Sequence, residues 1–429
     1  MTDVSVNVHH VTRLEGHGNI VVDIRNGALE NCRFDVVEAP RFFEVMLRGR
    51  SYLEASHVAS RICGICAVGH ATASLRATES ALGIEVSPQT TLLRELNMLG
   101  EILDSHVLHV YMLVAPDLLG QPSVLSLAKS APDVVRRALR LKQLAGDLCR
   151  ALCGRHTHPL GMTVGGFSMF PDSEELEALL GRFVNARHDV DATVELFRKL
   201  TFPAFDRETE YIALWSPNRY TFLDGEIASS LGEHWPLDRY LEVTNERPVA
   251  PATSKRTSHA RSSYMVGALS RFKTSHASLH PRAAAAAADL GLTPDCCNPF
   301  FNTVAQVVEI AHAIESAIEL LKPLLHSGVV PEEPVQPARL SGSGVGACEV
   351  PRGTLFHAYQ YQDGRMQTAN CVVPTGQNIG NLEEDMRAFV PRIVEQPEDS
   401  VRLNLEMLAR AYDPCISCAT HLVKVRFHP

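Results

Sequence analysis

Two Cys-x-x-Cys pairs stand near opposite ends of this chain, Cys63-Gly64-Ile65-Cys66 and Cys415-Ile416-Ser417-Cys418, and a histidine follows each, His70 and His421. A Cys-x-x-Cys turn brings two sulfurs within reach of one metal ion, so a fold that unites the pairs presents a four-sulfur site. That demand constrains the fold more than any other feature, because it obliges the two ends of a long chain to meet in one interior. On spacing alone a structural zinc site and a redox-active site both satisfy the pattern. The remoteness of the pairs argues against a local zinc ribbon. A chain of 429 residues, 45% of them hydrophobic, also has core enough to fold without a metal. A thioredoxin-like dithiol needs only one pair. Thiolates suit zinc, copper(I) and iron–sulfur clusters, and soft sulfur also holds nickel.

The remaining cysteines carry less. The total of 11 is odd, and Met1-Thr2-Asp3-Val4-Ser5 shows no basic or apolar leader pattern, so a disulfide framework is not expected and the cytoplasm is the expected compartment. Cys149 and Cys153, at i and i+4 on an expected helix, read as packing residues, and adjacent Cys296 and Cys297 as incidental. The net charge of -9, without any Lys/Arg-rich run, argues against a general nucleic-acid binder. No uninterrupted apolar stretch is long enough to span a membrane.

The hydrophobic pattern predicts a helix-dominated α+β fold with a central bundle of long helices and small peripheral sheets. Residues 4–37 alternate in short runs such as Asn19-Ile20-Val21-Val22-Asp23-Ile24, with turn chemistry at Arg25-Asn26-Gly27-Ala28, and read as a strand hairpin. From about 42 to 155 the period is helical, with Leu92, Leu96, Leu99, Leu103, Val107 and Val110 on one face, a helix end at Ala115-Pro116-Asp117 and a new helix from about 131. Asp172-Ser173-Glu174-Glu175 opens a helix over 173–200; loops and short strands are expected over 202–260. The alanines 283–288, residues 302–327 and residues 398–412 read as helices, and 338–375 as strands, with Ser341-Gly342-Ser343-Gly344-Val345-Gly346 as a turn.

At this point the residues resemble a known family. Arg61-Ile62-Cys63-Gly64-Ile65-Cys66-Ala67-Val68-Gly69-His70 and Asp413-Pro414-Cys415-Ile416-Ser417-Cys418-Ala419-Thr420-His421 look like the two signature segments of nickel–iron hydrogenase large subunits. Four further segments resemble the family in order along the chain: Arg13-Leu14-Glu15-Gly16-His17, Pro40-Arg41-Phe42-Phe43-Glu44, Val350-Pro351-Arg352-Gly353 and Val372-Val373-Pro374-Thr375. The resemblance implies one large subunit over 1–421: a hairpin at about 1–37, a helical core at 42–200, a mixed region at 202–375 and a metal-binding segment at 376–421. Residues 422–429 would be a tail that a maturation protease removes after nickel chaperones have loaded the site.

By that resemblance Cys63 and Cys415 would end on nickel, while Cys66 and Cys418 would bridge nickel to an iron carrying CO and cyanide. H2 would be split heterolytically between the metals. Glu15 would relay the proton, since a carboxylate beside a dry site can be tuned for that task. Glu44, His421 and the backbone carbonyl of Cys371 would hold magnesium or a second iron, although His421 also reads as a C-terminal orienting group. Arg352 would stand over the open position with Asp117 and Asp413 as partners, an arrangement that also reads as a structural ion pair. Thr375 would donate to cyanide and His70 to a bridging sulfur. His106 and His109, three apart on one helix, fit a proton route or a core or interface role equally.

The segment Cys-Ile-Ser-Cys-Ala-Thr-His resembles most the soluble cytoplasmic group, which includes sulfhydrogenases, NAD(P)-linked hydrogenases and heterodisulfide-reductase-linked enzymes, and the modest length favours the NAD(P)-linked or sulfhydrogenase branch. The chain has no G-x-G-x-x-G fingerprint and no further cysteine cluster, so an iron–sulfur small subunit and flavin/NAD(P) electron-transfer subunits are the expected partners. The competing expectations are an H2-sensing or structural hydrogenase-like subunit and a protein with a four-Cys zinc site.

Overall fold

The computed structural model describes residues 4–25, 28–249 and 252–420. Its centre is a set of long helices. Pro88–Val107 packs against Pro132–Cys153 and Asn302–Ser327, and the last of these also packs against Ser173–Arg198. Two of these helices have side-chain caps at their starts. Ser87 caps the first helix by accepting from Thr90 N at 3.0 Å, and Asp172 caps another by accepting from Glu174 N at 2.7 Å. Leu96, Leu99, Leu103, Val107 and Val110 are buried, each contributing roughly 1.5–3 kcal/mol. The same helix buries a second, polar stripe, Arg94, Asn97, Glu101 and Ser105. Arg94 forks onto Glu79 with two 2.7 Å bonds. Cys149 and Cys153 are buried packing residues, as expected. Gly100 leaves the room for Cys149, because a Cβ there would lie 2.5 Å from its sulfur.

The helical run ends at Leu118, one residue past the expected break at Ala115-Pro116-Asp117. A π turn over Leu108–Val114 widens the ladder, and the chain re-enters an α turn, Ala115–Leu118, with Pro116 in its first turn where a missing N–H is tolerated. The run Pro88–Leu118 has the length and hydropathy of a membrane span, yet 78% of its most apolar window is buried inside the protein.

Of the five sheets among the described residues, two bear on the position of the cysteines. The N-terminal sheet joins Val4–Val8, Gly18–Arg25 and Ala28–Val36 in antiparallel order, so the expected hairpin gains a third strand; its turn residues 26 and 27 lie outside the described residues. It rests on the helix Pro374–Ile393, which the sequence reading folded into a single metal-binding segment. The second sheet, Gly342–Val350, Gly353–Gln362 and Arg365–Val372, is also antiparallel. Here the glycine-rich stretch is strand rather than turn. Cβ atoms on Gly342, Gly344 and Gly346 would fall 2.3 Å from backbone atoms of Ala81 or Ala73, so the bare strand lies directly on the helix Ala67–Leu82. Glycine serves there for close approach. Pro351-Arg352 form the tip of the hairpin between the first two strands, with Val350 paired to Gly353. A parallel bridge between Glu15 and Cys415 ties the start of the chain to its end.

Candidate metal centre

Cys63 follows a helical turn, Ser60–Ile62, in an extended conformation, and Cys66 starts the helix Ala67–Leu82. The Cys63 sulfur accepts the N–H groups of Ile65 and Cys66, both at 3.3 Å, which curls the turn around it. At the other end Asp413 takes a left-handed conformation, φ 49°, which Asp tolerates better than most residues, and the chain then passes through Pro414 into Cys415. Cys418 sits in the short helix Ile416–Ala419.

The two pairs meet. All four sulfurs lie within 4.8 Å of one another and all four cysteines are buried. Cys63 and Cys415, 352 positions apart, place their sulfurs 3.3 Å apart; Cys66 and Cys418 place theirs at 3.4 Å, and Cys415 and Cys418 at 2.9 Å. Hydrogen bonds from Cys415, Cys418 and Cys66 hold the Cys63 thiol well below its usual range. Burial, reinforced by the neighbouring sulfurs, pushes Cys415 and Cys418 well above theirs. Cys66 is helped by Cys415 but held well above by Cys418, Cys63 and burial. The four thiols therefore titrate as one coupled group, and a soft cation bound among them would displace their protons.

Arg352, buried at the hairpin tip, donates from Nη2 to Asp413 Oδ1 at 2.8 Å and from Nε to the Asp413 carbonyl at 2.5 Å. Burial opposes its charge, but Asp413 and the sulfurs of Cys415, Cys66 and Cys63 outweigh that and keep it protonated. Asp117 does not join this pair. Its carboxylate is taken by Arg13 and by Arg410, whose Nε lies 2.7 Å from Oδ2, so the expected trio is a pair with a second ion cluster alongside. Asp413 Oδ2 accepts instead from Gln306 Nε2 at 3.3 Å.

Thr375 Oγ1 accepts the Cys415 N–H at 2.9 Å. His70 places Nε2 3.6 Å from the Cys418 sulfur and Nδ1 3.1 Å from His357 Nε2. Glu15 is half-buried; its carboxylate accepts from Ser417 Oγ and, at 3.0 Å, from Ser417 N, while its carbonyl accepts Ile416 N at 2.9 Å. Glu44 is buried with Oε1 2.9 Å from Cys371 N. His421 and the tail 422–429 lie outside the described residues. His106 bonds Glu309 at 2.6 Å within a buried cluster that includes Arg271, and His109 bridges Gln306 at 2.5 Å and the Arg410 carbonyl at 2.6 Å.

Several residues that sequence reasoning passed over also shape this centre. Arg41, in a segment quoted only for Glu44, donates to the carbonyls of Ile62 at 2.6 Å, Arg61 at 3.2 Å and Ser417 at 3.4 Å, and so clamps both cysteine segments. Ser417 orients Glu15, and Gln306 and His357 extend the polar contacts. Glu101 was legible in principle, as part of the polar stripe at helical spacing on an otherwise apolar helix.

Comparison with known proteins agrees with this geometry. The family profile described as nickel-dependent hydrogenase matches residues 41–140 and 266–421, and one described as HoxL-like matches residues 5–39. The chain is 32% identical over 424 residues to the sulfhydrogenase 2 subunit alpha of Pyrococcus furiosus, covering 98% of this chain and 100% of that one. It is 27% identical over 470 residues to the NAD-reducing hydrogenase HoxS subunit beta of Cupriavidus necator, covering 96% and 93%. Among solved structures, an NAD+-reducing [NiFe]-hydrogenase in its H2-reduced state superposes with a TM-score of 0.88 at 27% identity, over 97% of this chain and 99% of that one. Two remote cysteine pairs closed into one buried four-sulfur site, on this fold and with these relatives, place the chain in the nickel-dependent hydrogenase family.

Proposed function

We propose that this chain is the subunit that cleaves H2 reversibly, with its four cysteines holding a nickel–iron pair. The observation that carries this is the convergence of four buried thiols within 4.8 Å on a fold of this family. Cys63 and Cys415 would end on nickel; Cys66 and Cys418 would be shared with an iron carrying CO and cyanide, in keeping with the way the sulfurs face each other in these two pairs. Bound there, the metals supply an open, soft-liganded position at which H2 is polarised and split heterolytically.

The chain's own residues handle charge and protons. Arg352, pinned by Asp413, presents a fixed positive charge to the sulfurs. Thr375 accepts from Cys415 N, which leaves its own O–H to donate to a cyanide nitrogen. His70 stands where a ring N–H tunes the Cys418 sulfur. Glu15, held beside Cys415 by Ser417, takes the proton that leaves the Cys415 thiol and so restores the thiolate. Glu44, with the Cys371 carbonyl and His421, suits magnesium or a second iron.

Among the described residues no second convergent set of metal-binding side chains exists, which supports electron transfer to a separate iron–sulfur small subunit. Flavin-containing subunits using NAD(P) are the acceptors favoured by the NAD-reducing relatives, and a cytoplasmic location fits a long apolar helix spent inside the core. A protease acting on residues 422–429, with nickel chaperones, would complete maturation. The test is metal analysis, infrared spectroscopy and H2-dependent dye reduction on the purified complex. Nickel, iron and the stretching bands of metal-bound CO and cyanide are expected, with rapid dye reduction. Zinc without such bands would overturn the reading, and bands with very slow turnover would identify an H2 sensor instead.

A further inference from the structure

Glu101 lies in the middle of the helix Pro88–Val107 and is 3% exposed. Among the described residues its carboxylate meets no arginine or lysine. Its hydrogen bonds come from the backbone: Val68 N at 2.6 Å to Oε2, and Gly69 N at 3.1 Å to both oxygens. These N–H groups belong to the first turn of the helix Ala67–Leu82, whose preceding residue is Cys66. A helix start leaves several N–H groups without intrahelical acceptors, and the side chain of the cap residue ordinarily takes one. Cys66 makes no such bond, since its sulfur faces the other thiols. Glu101 therefore supplies, from a neighbouring helix, the acceptor that a metal-ligating cap residue withholds. The fit is close. A Cβ on Gly69 would fall 2.1 Å from Val350 Cγ1 and 2.9 Å from Glu101 Oε1, so the carboxylate packs where the helix, the Val350-Pro351-Arg352 tip and its own helix meet.

We infer that Glu101 is a positioning residue of the metal centre: it fixes the turn that carries Cys66, and it sets a carboxylate in the dry interior beside the thiolates, so that the electron density of the centre follows its charge. This rests on the nickel–iron reading above. Burial, opposed by the Gly69 N–H and reinforced by the Cys63 sulfur, raises the carboxyl to about 8, inside the working range of most enzymes. The titratable groups that face it are Cys63 at the site, Cys149 on Pro132–Cys153, Cys348 on Gly342–Val350 and Asp104 on its own helix. These are acids, whereas the helix N-terminus and the Arg352 guanidinium at the adjoining hairpin tip, whose Nη1 lies 3.4 Å from Ser105 one turn further along, favour its ionised form.

The experiment compares the purified complex with Glu101→Gln, which keeps an acceptor oxygen and deletes the charge, and Glu101→Leu, which deletes both. In the wild type the CO and cyanide bands are expected to shift by a few wavenumbers as the pH is raised through 8. In Glu101→Gln nickel is retained and that shift is absent; in Glu101→Leu nickel content falls severalfold. Glu101→Gln bands that titrate as in the wild type, or a Glu101→Leu complex with full nickel, overturn the inference. If the wild type contains zinc and no diatomic bands, the nickel–iron reading is the one that fails. Glu101 is then judged on zinc content, which must fall in Glu101→Leu relative to Glu101→Gln.

Discussion

At the scale of single residues, hydrogen-bond partners decide what each ionisable group can do. Glu15 is held by the backbone and hydroxyl of Ser417, one residue from Ile416 and two from Cys415, so its carboxylate is fixed without a cation partner among the described residues. Glu15→Gln is expected to leave nickel and iron bound and to slow the exchange of D2 with solvent protons by about 100-fold or more, the usual range for a lost acid–base group. Exchange at the wild-type rate would remove Glu15 from the proton path. His312 behaves oppositely, as a stability element. It is buried between Tyr220 and Phe222, near Glu309 and His280, and burial lowers it from 6.5 to about 4. Between those values the unfolded chain binds a proton that the folded one does not. Its contribution is therefore complete above 6.5 and is lost as pH falls toward 4. The loss is at most about 3 kcal/mol. His312→Gln, followed by thermal unfolding against pH, should flatten that part of the acid limb, while an unchanged slope would show His312 to be protonated in the fold.

At the scale of elements, the contact between Gly342–Val350 and Ala67–Leu82 matters most, since it sets where Cys66 and His70 stand relative to Arg352. Gly346→Val would drive a Cβ within 2.3 Å of Ala73 O and 2.4 Å of Ala77 N. Both are backbone atoms of a helix, so the elements must part. A loss of about 3 kcal/mol or more is expected, with reduced nickel content. Gly181→Ala is the control: it lies in Ser173–Arg198 with open space around the added carbon, and a gain of up to about 1 kcal/mol is expected there. Thermal unfolding of both variants checks the pair, and equal midpoints would contradict the close-packing account.

At the scale of the whole molecule, the metal centre joins the two ends of the chain where the Glu15–Cys415 bridge, the Glu15–Ser417 and Arg410–Thr12 bonds, Arg41 and the Arg352–Asp413 pair also tie them. Its chemistry and the fold are therefore coupled. Cys415→Ser is expected to abolish nickel retention, because a hydroxyl is a poor substitute for a thiolate on a soft metal. Hydrogen exchange read by mass spectrometry should then show faster exchange in 413–420 and in the N-terminal sheet, while Pro88–Val107 and Asn302–Ser327 keep their protection. Uniform loss of protection would mean that the centre supports the entire core.

The sequence by itself determined the chemistry of the site and most of the elements. Four cysteines in two pairs are a soft donor set wherever they are placed, and the leucine spacing of 92–110 or the caps at Ser87 and Asp172 act over a few residues, within the range a sequence pattern can report. Only the tertiary structure decided who partners whom. Asp117 pairs with Arg13 and Arg410 instead of Arg352, Glu101 caps a helix from another helix, Arg41 holds carbonyls from both ends, and a glycine run became a strand. These choices depend on which backbones approach closely once a core has formed, and contacts between segments tens to hundreds of positions apart leave no period in the chain.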